Sequence, residues 1–209
     1  MVDRTKLAVR SVVRVLARLL NRVTAGKLTP NAVTLFGLAM HAPIAWLIAM
    51  RYNFWAAGLL VVFGLFDTLD GELAHLQKRE TASGALLDSV TDRMKEIMLY
   101  SGAAYAIIAT GRPYLAVWAI AACGCSLLTS YVNAAGDVAV SRVPSTKQHD
   151  TNKTFRGGLL PFEIRMCIVI VGLLSNHLIV AVLVVALGAA YTAVSRLFRV
   201  LTRLSEANG

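Results

Sequence analysis

Apolar residues in this chain come in long uncharged runs separated by short polar stretches, a pattern unlike the alternation of a half-buried strand. The runs cover 28–50, 52–66, 97–111, 113–136 and 166–195. A helix needs about 20 residues to cross roughly 30 Å of hydrocarbon, so the first and fourth runs suffice as they stand. The last contains the polar run Ser175-Asn176-His177 and reads as two helices joined by a tight turn. The first of that pair must begin near Leu159, which carries Glu163 and Arg165 to the membrane boundary, where they read as a structural pair. The two remaining runs would reach only about 22 Å at 1.5 Å per residue. One must grow forwards through Asp67 and Asp70, the other backwards through Asp92 and Asp88. Length alone therefore sets four carboxylates in or just beneath the headgroup layer.

Six spans are predicted, near 31–50, 53–76, 84–110, 113–136, 159–175 and 178–201. With both termini on one side, that side receives every basic residue except Arg51 and Arg112, so the termini and the aspartates are expected to be cytoplasmic. Ahead of the first span, Val9, Val13, Leu16, Leu20 and Val23 recur at helical spacing, while Arg10, Arg14, Arg18 and Arg22 form another stripe. This predicts an amphipathic basic helix over 4–24, lying in the membrane interface, although a helix packed on the protein's own cytoplasmic face would show the same pattern. The expected fold is all-α: one polytopic membrane domain over 1–209, with six transmembrane helices preceded by that N-terminal interfacial helix. The polar, basic segment 141–158 is a cytoplasmic loop between the fourth and fifth spans.

Composition agrees. Of the 209 residues, 56% are hydrophobic and 16% charged, against roughly 25% charged in a soluble domain. That excludes a conventional soluble enzyme and a disordered tail. A net charge of +9 could suggest nucleic acid, but in so apolar a chain the anionic face of a bilayer is the expected partner, and no nucleic acid is. Cys123, Cys125 and Cys167 lie in apolar stretches without the spacing of a zinc site and read as packing residues. No cleavable leader is evident in the first 27 residues, which carry seven basic residues.

The chemistry concentrates in one stretch. Asp67 and Asp70 are three residues apart and Asp88 and Asp92 four, which puts each pair on one helix face. Gly71 and Ala74 accompany the first pair, and Gly84 sits one turn before the second. Small residues there let helices, or a flat ligand, approach closely. Four carboxylates near low dielectric need compensation, and hard oxygen ligands suit Mg²⁺ or Mn²⁺. Two such ions can clamp the attacking and leaving oxygens of a phosphoryl transfer.

The full pattern Asp-x2-Asp-Gly-x2-Ala-x9-Gly-x3-Asp-x3-Asp resembles the signature of the CDP-alcohol phosphotransferase family of membrane enzymes. It departs at His75, where the family has Arg. The segment Leu28-Thr-Pro-Asn31-Ala-Val-Thr34 is similar to the family's approach to its first span. The resemblance implies transfer of a phosphatidyl-type group from a CDP-linked lipid to a small polar alcohol, with release of CMP. It further implies that Asp67, Asp70, Asp88 and Asp92 hold two divalent cations, and that Asp92 is the general base. Asn31, Thr34, Gly71 and Thr81 would line the nucleotide and diphosphate site, with Gly71, Ala74 and Gly84 leaving room for cytidine. His75, in place of a permanently charged fork, would weaken a donor contact. A homodimer is also implied.

For the acceptor, Ser130-Tyr131-Val132-Asn133-Ala134-Ala135 resembles a segment of the inositol-phosphate-using members, with Asn133 and Ala135 in place of two basic residues. Arg156 and Arg196 stand where those members use arginines. Asn133, Arg156 and Arg196 are thus the expected acceptor-binding residues. Inositol phosphate or inositol ranks first, glycerol phosphate second and serine third. Readings of another class are a cation transporter and an inactive scaffold. Transporter charges usually sit near the midplane at broken helices, whereas these lie at the end of two spans.

Overall fold

The computed structural model describes residues 2–141 and 160–208; the side chains of residues 2–10, 67 and 206–208 lie outside that description. Arg156 and most of the expected loop over 141–158 lie outside it too. The described residues form helices and no strand. The chain divides into two compact units, Met1–Gly102 and Ala103–Gly209.

The first unit contains α1 (Val2–Val23), α2 (Pro30–Ala49), α3 (Asn53–Gly64), α4 (Phe66–Gln77) and most of α5 (Ala82–Ile108). Thr29 caps α2, its Oγ1 accepting the Ala32 N–H at 3.3 Å, and Pro30 occupies the first helical turn, where a missing N–H costs nothing. A tight turn with Arg51 at φ 63° separates α2 from α3. The expected continuous helix over 53–76 is interrupted at Leu65, whose N–H reaches back three residues to Val62 O at 3.2 Å. Gly64, with its low helix propensity, immediately precedes the break, and Phe36, Phe63 and Phe66 cluster around it, Phe63 and Phe66 with ring centroids 5.0 Å apart.

α1 is packed on the protein itself along one stripe. Val13 and Ala17 are buried with Val33, Leu69 and Leu73 in a common core. Arg14 Nε reaches Glu72 Oε2 on α4 at 3.1 Å, and Gln77 Nε2 donates to Asn21 Oδ1 and Leu28 O, both at 2.9 Å. A neighbouring apolar stripe of α1 (Val12, Val15, Leu16, Leu19 and Val23) stays exposed. The expected seam of Val13, Leu16, Leu20 and Val23 is thus split between the two.

The second unit holds the rest of α5, a 3₁₀ turn at Pro113–Ala116, α6 (Val117–Ser141), α7 (Phe162–Leu174) and α8 (Leu178–Asn208). Ser175-Asn176-His177 makes the expected tight turn between α7 and α8, with Asn176 at φ 57°. α6 and α8 pack on each other, and buried small residues recur on both: Ala119, Ala122, Ser126 and Thr129 on α6, Ala186, Ala189 and Ala193 on α8. Thr129 Oγ1 lies 3.2 Å from Ala189 O across that contact. All three cysteines are free.

Among the described residues, four segments are long and apolar enough to cross a membrane: Pro30–Ala49, Asn53–Gln77, Pro113–Ser141 and Leu178–Ser205. The two further expected spans differ for physical reasons. α5 carries Asp88, Asp92, Arg93, Lys95 and Glu96 in its first half, and α7 has 13 residues, about 20 Å of helix.

Within the first unit, α5 approaches α2 so closely that a Cβ on Gly102 would overlap the Ala45 carbonyl. Gly102→Val is expected to destabilise the protein by about 1–3 kcal/mol, read as a lower thermal unfolding midpoint in detergent. An unchanged midpoint would refute the close α2–α5 approach.

Candidate active site

The first unit contains a cavity of about 310 Å³ at the start of α2, on one face of α4 and at the start of α5. α2 supplies Asn31 and Thr34, α4 supplies Asp70, Gly71 and Ala74, and α5 supplies Gly84 and Asp88. Between α4 and α5 the chain turns sharply, and Arg79, Glu80 and Thr81 of that turn also line the cavity. The turn follows from local chemistry. Lys78 adopts the left-handed conformation at φ 54°, so its own N–H reaches His75 O at 3.2 Å and the Arg79 N–H reaches Ala74 O at 2.9 Å, satisfying the last carbonyls of α4. Thr81 then caps α5, its Oγ1 accepting the Gly84 N–H at 3.0 Å.

Asp70 is the most constrained carboxylate. It is 5% exposed, accepts a 2.5 Å hydrogen bond from Thr34 Oγ1, and accepts the Gly71 N–H at 2.7 Å. Burying a charged oxygen without such donors costs several kcal/mol, so Thr34 is what permits this carboxylate to sit there. The glycines have different reasons. A Cβ on Gly84 would press on Thr81 Oγ1 at 3.1 Å and Asn31 Oδ1 at 3.4 Å, whereas one on Gly71 would meet nothing within 4 Å. Gly84 is favoured by packing. Gly71 opens onto the space a ligand would fill.

Asp92 lies one turn beyond Asp88 and outside the cavity lining. Its Oδ1 accepts from Lys95 Nζ at 3.1 Å, and its Oδ2 is 3.8 Å from Arg93 Nη2. Lys95 is itself buried, at 1% exposure, and Arg93 also reaches the buried Glu96 at 3.4 Å. Position 67 falls on the α4 face that carries Asp70 and Ala74, its side chain being outside the described set. Asp70 and Asp88 share the cavity, and carboxylate oxygens are the donor type that Mg²⁺ and Mn²⁺ take. Among the described residues no three Asp, Glu, His or Cys side chains form a ready-made metal centre.

His75 is not brought to this cavity. Five positions from Asp70, it lies about 140° round the helix. It lines a separate hollow with Arg14, Arg18 and Glu72, with its Nδ1 3.3 Å from Glu80 Oε1. Arg79, Glu80 and Lys95 were not anticipated. For Lys95 a signal existed, since it stands three residues after Asp92 on a helix. For Arg79 and Glu80 the only signal was a short polar link between two motif halves.

Of the expected acceptor residues, Asn133 and Arg196 belong to the second unit. Asn133 Oδ1 and Arg196 Nε are buried without a hydrogen-bond partner among the described residues, and Arg196 Nη1 lies 3.5 Å from Thr129 O. Arg165 is buried too, its Nη1 donating to Leu160 O at 2.9 Å and its guanidinium over the Phe162 ring, while Glu163 is exposed. His41 is a core histidine, Nδ1 to Gly37 O at 2.7 Å, and His177 lies in the turn between α7 and α8.

A helical membrane chain with carboxylates gathered over a cavity at the ends of two helices is the architecture of a metal-assisted phosphotransferase. The family model for CDP-alcohol phosphatidyltransferases matches residues 27–194, and the chain belongs to that family. It is therefore a multi-pass membrane enzyme that moves a phosphatidyl-type group from a CDP-linked lipid to an alcohol, by chemistry that depends on divalent metal. The phosphatidylinositol phosphate synthase of Corynebacterium glutamicum is 31% identical over 180 residues, covering 82% of this chain and 77% of that one. The phosphatidylinositol phosphate synthase of Mycobacteroides abscessus is 30% identical, covering 69% of this chain and 61% of that protein. Among solved structures, Mycobacterium tuberculosis phosphatidylinositol phosphate synthase with CDP-DAG bound matches with a TM-score of 0.76 at 27% identity, covering 92% of this chain and 94% of that one. The same enzyme in complex with manganese and citrate matches with a TM-score of 0.75 at 27% identity, covering 91% and 89%.

The Thr34–Asp70 contact yields a test. Thr34→Val leaves a buried carboxylate short of a donor and is expected to cost about 1–3 kcal/mol, measured as thermal unfolding in detergent. Thr34→Ser, which keeps the hydroxyl, should lose much less. Equal losses in the two variants would show that the methyl group, not the hydrogen bond, matters.

Proposed function

We propose that this enzyme transfers the phosphatidyl group of CDP-diacylglycerol to a phosphorylated inositol, releasing CMP. The observation that carries the reading is the cavity that gathers Asp70 and Asp88 with Asn31, Thr34, Gly71, Ala74, Thr81 and Gly84. For the acceptor, support comes from relatives that are phosphatidylinositol phosphate synthases, and from the buried guanidiniums of Arg165 and Arg196. Buried cations of this kind favour a phosphorylated alcohol over a neutral one.

Asp67, Asp70, Asp88 and Asp92 hold two divalent cations, Mg²⁺ or Mn²⁺. When bound, these neutralise charge on the donor diphosphate and on the departing CMP. The chain's own residues do the rest. Thr34 fixes the Asp70 carboxylate, and Lys95 orients Asp92. Asn31 and Thr81 flank the nucleotide, and Gly71, Ala74 and Gly84 leave the width that the cytidine needs. Asp92 accepts the proton of the acceptor hydroxyl as its oxygen attacks the lipid-linked phosphorus. The bond from that phosphorus to the bridging oxygen breaks, and CMP leaves with the electron pair. His75 faces Glu80 and the α1 arginines, so its replacement of an arginine does not disarm the aspartate cavity. Asn133, Arg156 and Arg196 contribute to holding the acceptor.

The working form is six transmembrane helices in the cell membrane, with α5 and α7 as the additional spans, the aspartates and both termini cytoplasmic, α1 in the interface, and two copies forming a homodimer. Supporting this are the positive-inside asymmetry and the exposed apolar stripe of α1 beside its arginines.

Purified protein with CDP-diacylglycerol, Mg²⁺ or Mn²⁺ and myo-inositol-1-phosphate is expected to release CMP, and Asp92→Asn to lose at least about 100-fold in kcat. Turnover with glycerol phosphate or serine but not with the inositol phosphate would refute the acceptor. A second expectation concerns Gly71→Ala. Its Cβ enters empty space, so the unfolding midpoint should hold while KM for the donor rises several-fold. An unchanged KM would remove Gly71 from the donor site.

A further inference from the structure

The charges facing the cavity are unevenly distributed. Asp70, Glu80 and Asp88 line it, and Arg79 is the one cationic side chain among the described lining residues. Of the other basic groups nearby in the chain, Lys78 lines neither this cavity nor the hollow against α1, and the rest are turned elsewhere. Arg93 and Lys95 contact Asp92, while Arg14, Arg18 and His75 line the other hollow against α1. Arg79 owes its place to backbone geometry. The left-handed Lys78 reverses the chain at the end of α4, and the Arg79 N–H is tied back to Ala74 O at 2.9 Å. The guanidinium is held only loosely, by Nη1 at 3.4 Å from the neutral Oε1 of Gln77. A contact of that length is easily exchanged for a better acceptor.

Electrostatic bookkeeping says what that acceptor is. The described lining carries Asp70, Glu80 and Asp88 against Arg79, so a donor diphosphate brings two further negative charges to a cavity with one cationic side chain of its own. A planar guanidinium with paired N–H groups matches adjacent phosphate oxygens better than any other side chain. Resting on the reading of this cavity as a CDP-lipid site, we propose that Arg79 binds the diphosphate of the donor from the α4–α5 turn. The cation thus comes from a loop position four residues beyond His75, and it acts on donor affinity rather than on the acceptor.

The test measures CDP-diacylglycerol binding to the full-length protein in detergent with Mn²⁺, by calorimetry without acceptor, together with steady-state CMP release. Arg79→Gln is expected to raise the donor Kd about tenfold, equivalent to about 1.4 kcal/mol, and to raise donor KM alike. The KM for inositol phosphate should stay within about twofold. Arg79→Lys, a point charge without the fork, is expected to lose about threefold. Lys78→Asn keeps the left-handed turn and removes a neighbouring charge; it should bind as the wild type does. Should Arg79→Gln fail to fold, Arg79→Lys carries the comparison alone. Donor binding within about twofold of wild type in the Arg79 variants, or an equal loss in Lys78→Asn, would overturn the assignment while leaving the enzyme's function standing. A wild-type protein that binds no CDP-diacylglycerol would instead overturn the function and the assignment together.

Discussion

A carboxylate at the edge of hydrocarbon is tolerated only where something compensates its charge, and the first unit is organised around that requirement. Asp70 is buried against Thr34 of α2 and the Gly71 amide. Because the Thr34 hydroxyl must reach it, α2 and α4 must be in register at this level. The register is set by the Thr29 cap and Pro30 at one end and by the phenylalanine cluster at the other. The same requirement explains why α4 is so short. Its first turn must stop the apolar run of α3, and its last must release the chain in time to bring Asp88 back to the same cavity. The neutral hydrogen bonds of Gln77 to Asn21 and Leu28 hold that end without adding charge.

Much of this was legible in the sequence, and the reasons are specific. Asp70, Gly71 and Ala74 were placed together because their spacing fixes them on one helix face, and Gly84 and Asp88 for the same reason on another. Asn31, Thr34 and Thr81 came from family likeness, and eight of the expected residues line one cavity. The face argument also reaches its limit in the same helix. His75 follows Ala74 directly in sequence, yet a step of about 100° turns it towards α1. Arg79 and Glu80 escaped because their direction depends on one left-handed residue, Lys78, which no composition pattern announces. Lys95 was hidden differently. It lies in the charged first half of α5, where spacing alone does not say which neighbour is its partner.

The spans show another gap between pattern and structure. Counting uncharged residues gives two crossings as they stand, and the two runs that border the aspartates are among those that fall short of the count. α5 carries charge in the turns after Asp88 because Asp92, Arg93, Lys95 and Glu96 are partners for one another. Such mutual pairing lowers the cost of each charge near lipid, and a hydropathy window cannot see it. The Leu65 interruption was likewise invisible, since Gly64 alone is tolerated within many helices.

The contact between α6 and α8 bears on how such a chain can diverge. Its buried residues are rich in alanine, serine and threonine, and where α7 meets α8 a Cβ on Gly172 would overlap that of Ala181. Lipid tails offer helices no hydrophobic reward for associating, so closeness of backbones is what holds them together. Enlarging an inward position separates the helices, while an outward Val, Leu or Ile can be exchanged freely, because acyl chains barely distinguish them. Mutational drift is therefore channelled outward. A relative can share little more than a quarter of its residues and still superpose with a TM-score of 0.76, the shared architecture being kept by small side chains rather than by large ones.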